Sequence, residues 1–300
     1  MKKSTNGGVA LRAAIGTTMW GVGGVLSNII FNTSHATPAW LVSMRLTWAG
    51  LAMLAYGLIT HQPLLRVWRN RADALRLIAF GIVGVAMAQF SYLLAIFYGN
   101  AAIATIMLSL VPAMITVVVC VSDRMWPRPI DTIAITIALI GVFFLVTDGN
   151  VTQLHVAPLA VLWGLVAAVT GAAYTLLPRP LLQHEPPLVI VAWGLVIGGF
   201  LMNWITPVWL VPTGLHAWSW LFIAFIIFGA TFLAYILYVS SLKTLPPAIA
   251  SMIGNLEPLT ATILSIIFLA LGFHFLQFTG IVLVLAAVCM MSWVPKKQRV

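Results

Sequence analysis

Apolar residues in this chain come in long unbroken runs rather than in alternation or in short amphipathic stripes. Ten runs stand out, near 12–32, 38–60, 76–97, 101–121, 130–147, 157–177, 188–207, 218–240, 247–270 and 275–294. Each is close to the roughly 20 residues that an α-helix needs to cross a bilayer. Pro, Gly and charged residues punctuate the joins, as chain breakers do. The pattern predicts an all-α membrane protein of ten transmembrane helices with short connections. No stretch has room for a separate soluble domain.

Composition agrees. The 300 residues are 62% hydrophobic and 7% charged, against about 25% charged in a soluble domain. The net charge of +9 does not point to nucleic acid, because the basic residues are spread along the joins instead of forming one basic face. Lys2, Lys3 and Arg12 precede the first run. Arg66, Arg69, Arg71 and Arg76 lie between the second and third, and Arg124 and Arg128 follow the fourth. Arg179 follows the sixth, Lys243 the eighth, and Lys296, Lys297 and Arg299 end the chain. With ten crossings all of these fall on one side, which the positive-inside rule makes cytoplasmic, with both termini. Lys2, Lys3 and Arg12 ahead of an apolar run, with Ser34-His35-Ala36 after it, imitate a signal peptide. A run of about 20 residues that holds Trp20 and Asn28 reads instead as a retained first helix. Tryptophans support the limits: Trp40, Trp204, Trp209, Trp218 and Trp220 cluster at predicted outer ends, and Trp68, Trp126 and Trp293 at inner ends. Such belts form where an amphipathic ring meets headgroups. Cys120 and Cys289 give no disulfide or metal spacing and read as reduced packing residues. The six histidines are scattered over loops and helix ends with no metal-ligand spacing. No metal and no cofactor are expected.

The chain also repeats itself. Trp20-Gly21 matches Trp163-Gly164; Ser27 matches Thr170 and Phe31 matches Tyr174 at the same offset. Tyr92 matches Tyr235. Ala102, Ile103, Ala104, Leu110 and Pro112 match Ala248, Ile249, Ala250, Leu256 and Pro258, five identities in eleven positions. The expected units are 1–148 and 149–300. Each holds five helices, an odd number, so the two must insert upside down relative to each other. Inverted repeats of this kind mark secondary transporters, whose site lies near the midplane between the halves.

One stretch breaks the repeat. Ser109-Leu110-Val111-Pro112 in the first half becomes Asn255-Leu256-Glu257-Pro258 in the second. Glu257 is the one acidic residue deep within an apolar run. A carboxylate there costs about 2.5–3.5 kcal/mol on insertion scales. Pro112 and Pro258 each remove a helix hydrogen bond. Freed carbonyl and carboxylate must both face protein or a watery cavity. Arg45 is the one basic residue inside a run, about seven residues or roughly 10 Å below its outer end. It is within reach of Glu257, directly or through a bound solute; the alternative is a guanidinium that snorkels to the headgroups. Trp20, Gly24, Ser27, Asn28 and Phe31 share one helix face, as do Trp163, Thr170 and Tyr174. Gln89 with Tyr92, and Tyr235 with Tyr238, lie a turn apart. The expected substrate-binding set is Glu257, Asn255, Arg45, Trp20, Asn28, Gln89, Tyr92, Trp163, Tyr174 and Tyr235: aromatic walls with a few polar contacts. Packing is the bland alternative for the aromatic members. The amides Asn28, Gln89 and Asn255 need partners away from water in any case. Gly21, Gly23 and Gly24, and Gly198 with Gly199, read as close helix contacts.

Taken together, Trp20-Gly21, Pro38 followed by Arg45, Leu256-Glu257-Pro258, Leu271-Gly272 and Gly280 carry a resemblance. In their order and spacing the chain resembles the drug/metabolite transporter superfamily, in the group with two EamA domains. The likeness covers nearly the whole chain. Departures are Phe273, where the family often has glutamate, Asp123-Arg124 for its Glu-Arg, and Asn28 for its lysine. The resemblance implies export or exchange of small metabolites such as amino acids, or of drugs.

The expectation is therefore a secondary active transporter of the plasma membrane, working by alternating access on an amino-acid-like or amphipathic solute. Its partners would be that solute, the lipid bilayer and a coupling proton, with no nucleic acid. A multidrug or cationic-compound exporter is the alternative. An intramembrane enzyme acting on lipid-linked substrates is the rival from another class, and one carboxylate with one arginine is thin chemistry for it. Substrate identity, direction and oligomeric state are not legible in the sequence.

Overall fold

In hydrocarbon a backbone must satisfy its own polar groups, and the apolar runs do so as helices. The computed structural model describes residues 3–150, 155–242, 245, 249 and 253–293, and has no strand among them. The helices are α1 (Lys3–Thr33), α2 (Pro38–Ile59), α3 (Arg71–Tyr98), α4 (Ala101–Ser122), α5 (Pro129–Thr147), α6 (Pro158–Leu176), α7 (Pro187–Ile205), α8 (Ala217–Tyr238 as its apolar span), α9 (Leu256–Leu269) and α10 (Phe275–Trp293). Eight of them, α1 to α8, are long and apolar enough to cross a membrane; α9 and α10 are shorter apolar helices.

Most ends fall where the breakers predict. Thr37 caps α2, its side chain accepting from the Trp40 amide, with Pro38 opening the helix. Helix α3 starts at Arg71, earlier than the apolar pattern suggests, because Asn70 caps it and Asp73 sits in its first turn. Helix α1 likewise runs back to Lys3. The predicted span 247–270 is the exception. Its helix is broken by a turn at Asn255: Ile249, Ile253 and Gly254 are helical before it, and Leu256–Leu269 runs on after it. Pro247, Ala248 and Ala250 of the repeat, and Lys2, Lys243, Lys296, Lys297 and Arg299, lie outside the described residues.

Helix α2 packs on α7, α3 on α6, α1 on α8 and α9, α4 on α6 and α9, and α5 on α10. Glycines set the close approaches. A methyl at Gly21 would meet the Glu257 carbonyl oxygen at 2.6 Å, and one at Gly23 the Ala230 side chain at 2.7 Å. In the other half a methyl at Gly164 would meet Met107 at 2.7 Å. Gly50 lies against Val196, and Gly199 against Thr47. The larger core joins Ile30, Leu41, Phe80, Leu93, Ile190 and Ile226; a second joins Ile106, Leu145, Ala168 and Val284. Phe200, Leu221, Ile267 and Phe268 are exposed, the surface that acyl chains would cover.

Charges pair at helix ends and in the connections. Arg66 Nε donates to Glu185 at 2.9 Å, and that bond raises the guanidinium above its ordinary range. Arg66 also donates to the His184 carbonyl. Asp73 meets His184 at 3.0 Å, so the α2–α3 and α6–α7 connections are tied together. Arg128 forks onto Asp131 with two bonds of 2.8 Å. The tryptophan belt needs one correction. Trp126, Trp204 and Trp209 are exposed, but Trp40 is fully buried. It donates to the Val208 carbonyl and packs edge-on against Trp220, so it holds a loop instead of meeting headgroups.

The α5–α10 contact offers a stability test. A methyl at Gly141 would lie 2.7 Å from the Gly280 carbonyl oxygen and 3.0 Å from the Val284 amide. Backbone does not yield as a side chain does, so Gly141→Ala should cost about 1–3 kcal/mol by overpacking. Gly272→Ala, with open space around it, should be neutral. Thermal unfolding in detergent distinguishes the two, and equal midpoints would count against this packing.

Candidate functional site

Two kinds of irregularity shape the interior. Helix α4 is interrupted at Ser109 and Leu110, between its parts Ala101–Leu108 and Val111–Ser122. The span of α9 is interrupted in the same way, by a turn at Asn255 between the helical residues 253–254 and Leu256–Leu269. Both breaks precede a proline, Pro112 or Pro258, which has no amide to continue the ladder. The second kind is a π segment in the middle of α3 (Phe80–Met87) and of α8 (Phe225–Leu233). Such bulges insert a residue into the helix and often occur at functional sites.

The irregular segments surround a cavity of about 390 Å³, within the range of small-molecule sites. Every helix except α5 contributes to its wall. Of the residues expected from the sequence, Glu257, Asn255, Arg45, Trp20, Gln89, Tyr92, Tyr174 and Tyr235 line it, with Pro112 and Pro258. Two do not. Asn28 lies eight residues past Trp20, about 12 Å further along α1, and is buried outside the lining. Trp163 packs against Phe90, ring centroids 6.3 Å apart, as part of the core.

The break places Glu257 in the first turn of α9. Amide dipoles there favour a negative charge. Among the described residues its carboxylate has no hydrogen-bond partner, and the side chain opens on the cavity. Arg45 is buried, 8% exposed, and does not snorkel. Its Nε donates to Thr231 Oγ1 at 2.6 Å, and Thr231 in turn donates to the Ile226 carbonyl at 2.8 Å. That carbonyl lies five residues back inside the π segment, so the bulge is what anchors the guanidinium. The rest of the fork has no acceptor among the described residues. Arg45 and Glu257 do not touch in this conformation, yet each lies within Coulombic reach of the other across the cavity.

Aromatic groups close the walls. Trp20 and Tyr238 meet at 5.1 Å between centroids, and Phe80 and Tyr174 at 5.3 Å. Gly24 makes room for Tyr92: a methyl there would lie 2.6 Å from its hydroxyl. That hydroxyl is buried with no partner among the described residues. Asn255 donates to Cys289 Sγ at 3.2 Å, and both cysteines are free. Thr231 is the important residue that sequence reasoning missed. It lies a turn before Tyr235, and that spacing was the available signal; the π segment that aims it was not legible.

Comparison with known proteins points the same way. The profile of the EamA-like transporter family matches residues 8–147 and 158–293. The uncharacterized inner membrane transporter YicL of Salmonella typhimurium is 31% identical over 286 residues, covering 94% of each chain. The uncharacterized transporter YwfM of Bacillus subtilis is 27% identical, covering 97% of this chain and 95% of its own. A solved crystal structure superposes with a TM-score of 0.62 at 16% identity, over 96% of both chains, a likeness of fold.

The Arg45 anchor is open to test. Thr231→Val keeps the shape but removes the acceptor, and a hydrogen bond to a charged group contributes about 1.5–3 kcal/mol. Thr231→Ser keeps the hydroxyl. Thermal unfolding in detergent should show Val well below wild type and Ser close to it; indistinguishable variants would show that the guanidinium does not depend on this bond.

Proposed function

As a chain that belongs to the EamA-like transporter family, this protein moves a solute across a membrane, and we propose that it is a secondary carrier that exports or exchanges an amino-acid-like zwitterion. The observation that carries the reading is the placement of two opposite charges in one cavity, each with unused bonding capacity among the described residues. Arg45 offers the rest of a planar fork, which suits a carboxylate. Glu257 offers a carboxylate, which suits an ammonium. Between them stand aromatic and aliphatic walls for a side chain. A zwitterion satisfies both groups at once. A metabolite with one charge leaves the other group facing the cavity alone, at the cost of an unmet charge in a low dielectric. When the cavity is empty of solute, a proton on Glu257 is the natural substitute, and this makes proton exchange the proposed coupling.

Alternating access needs two halves that rock about the site. We take 1–148 and 149–300 as those halves, crossing the membrane ten times in opposite senses. Several features support this. The family profile matches each half separately. The π segments recur in α3 and α8, and the proline breaks in α4 and ahead of α9. Packing partners exchange in step: α1 with α8 and α9, α6 with α3 and α4. The basic joins favour cytoplasmic termini, and the inner-membrane relative favours the same membrane here. The intramembrane-enzyme alternative is set aside by the family match.

Counterflow in proteoliposomes, with amino acids, organic amines and drugs as competitors, tests the substrate class. Zwitterionic amino acids should exchange and saturate. Glu257→Gln and Arg45→Gln should each lower exchange about ten- to a hundredfold, the loss of one charge-assisted bond. Glu257→Gln with undiminished exchange would falsify its role. Organic cations transported without competition from zwitterions would turn the reading to cationic-compound export. Topology has its own test. With Cys120 and Cys289 replaced, an impermeant maleimide should label Val211→Cys in intact cells and Leu65→Cys only after permeabilisation. The reverse pattern would invert the orientation.

A further inference from the structure

Far from the cavity, three chain segments converge at one end of the α5–α10 pair. Asp148 ends α5, in the left-handed conformation at φ 49° and ψ 33°. His274 precedes α10; its amide donates to the Gln277 side-chain oxygen and its carbonyl accepts from the Phe278 amide. His155 lies ahead of α6, its amide bonded to the Val146 carbonyl. One carboxylate oxygen and one ring nitrogen from each histidine all lie within 4.8 Å of one another. The His274 Nδ1 and Asp148 Oδ2 are 2.5 Å apart. The imidazole rings are 5.6 Å apart between centroids.

We propose that Asp148, His155 and His274 form a binding site for a divalent transition-metal ion, zinc by preference, that staples the end of α5 to the start of α10. Two imidazoles and one carboxylate are borderline nitrogen and hard oxygen donors. They suit zinc and its neighbours better than calcium or magnesium, which take oxygen ligands. Three protein ligands leave a fourth position for water, as in open zinc sites. A second observation points to a missing partner: Asp148 Oδ1 is buried with no hydrogen bond among the described residues. A buried acceptor left unmet costs about 1–3 kcal/mol, and a cation meets that cost directly.

The geometry needs little adjustment. Tetrahedral ligands about 2.0–2.1 Å from zinc lie roughly 3.3 Å from each other. The Asp148–His274 contact opens slightly to admit the ion, and His155, whose side chain is exposed, swings in. The carboxylate itself is held by its turn, where Gly149 has φ 81° and its amide donates to Thr147 Oγ1. Because none of the three ligands lines the cavity, the ion acts on the stability of the helix pair and leaves the solute site alone. This inference therefore stands apart from the transport reading.

The test is a titration of the purified, chelator-stripped protein, carrying a histidine-free tag, with zinc chloride against a chromophoric chelator. One ion per chain is expected, with a raised thermal midpoint. His155→Gln, His274→Gln and Asp148→Asn should each weaken binding at least about tenfold, the scale seen when zinc sites lose a supporting group. His61→Gln, away from the cluster, should bind as wild type does. His155 is exposed, so its variant separates lost binding from lost folding. No stoichiometric zinc on the wild type, or undiminished binding in both histidine variants, overturns the site.

Discussion

Hydrocarbon supplies no hydrogen bonds, and this one constraint governs the interior of the molecule. A proline break and a carboxylate are tolerable at mid-membrane depth only if something polar receives them. Here the same cavity receives the break ahead of α9, the break in α4, Glu257 and Arg45. A break exposes amide dipoles, and the dipoles favour Glu257, whose side chain lines the cavity. Sealing the cavity with apolar side chains would leave two buried charges without company, which costs far more than the packing gains.

Backbone devices, more than side-chain identity, set the geometry around those charges. Gly21 lets α1 approach α9 at the break itself, and Gly24 admits the Tyr92 hydroxyl. The π segment of α8 frees the Ile226 carbonyl to hold Thr231, which holds Arg45. Each is a local loss of regular helix that a close neighbour makes good. Together they fix a cationic fork on one wall and leave an anion on another, the arrangement on which the proposed zwitterionic solute rests. Helix α5, which has no part in the cavity, is paired along Gly141 and Gly280 with α10, and serves the fold as a strut. The polar cluster at its end fits that division of labour.

Much of this was legible in the chain. Eight of the ten apolar runs fall on described helices long and apolar enough to cross a membrane, and the other two on shorter apolar helices, because span length and breaker residues are local properties. Glu257 and Arg45 were conspicuous because charge inside an apolar run is rare and costly. Their expected neighbours around the cavity followed from helical spacing, with two exceptions. Asn28 shares a face with Trp20 but sits too far along the helix to reach the cavity. Trp163 copies Trp20 in the repeat but meets Phe90, since its neighbours differ in the other half. Trp40 looked like an interfacial ring and is buried under a loop, because its indole found a carbonyl there.

The sequence by itself determined the helices, the all-α class, the two charges that must be sheltered and the proline breaks beside one of them. It did so because those facts depend on residues within a few turns of each other. Tertiary structure alone decided that Arg45 is held by Thr231 and stands apart from Glu257. It alone brought Asp148, His155 and His274 to one point. Those outcomes depend on where distant helices cross and on a bulge that shifts side-chain register, and neither leaves a periodic trace in the chain.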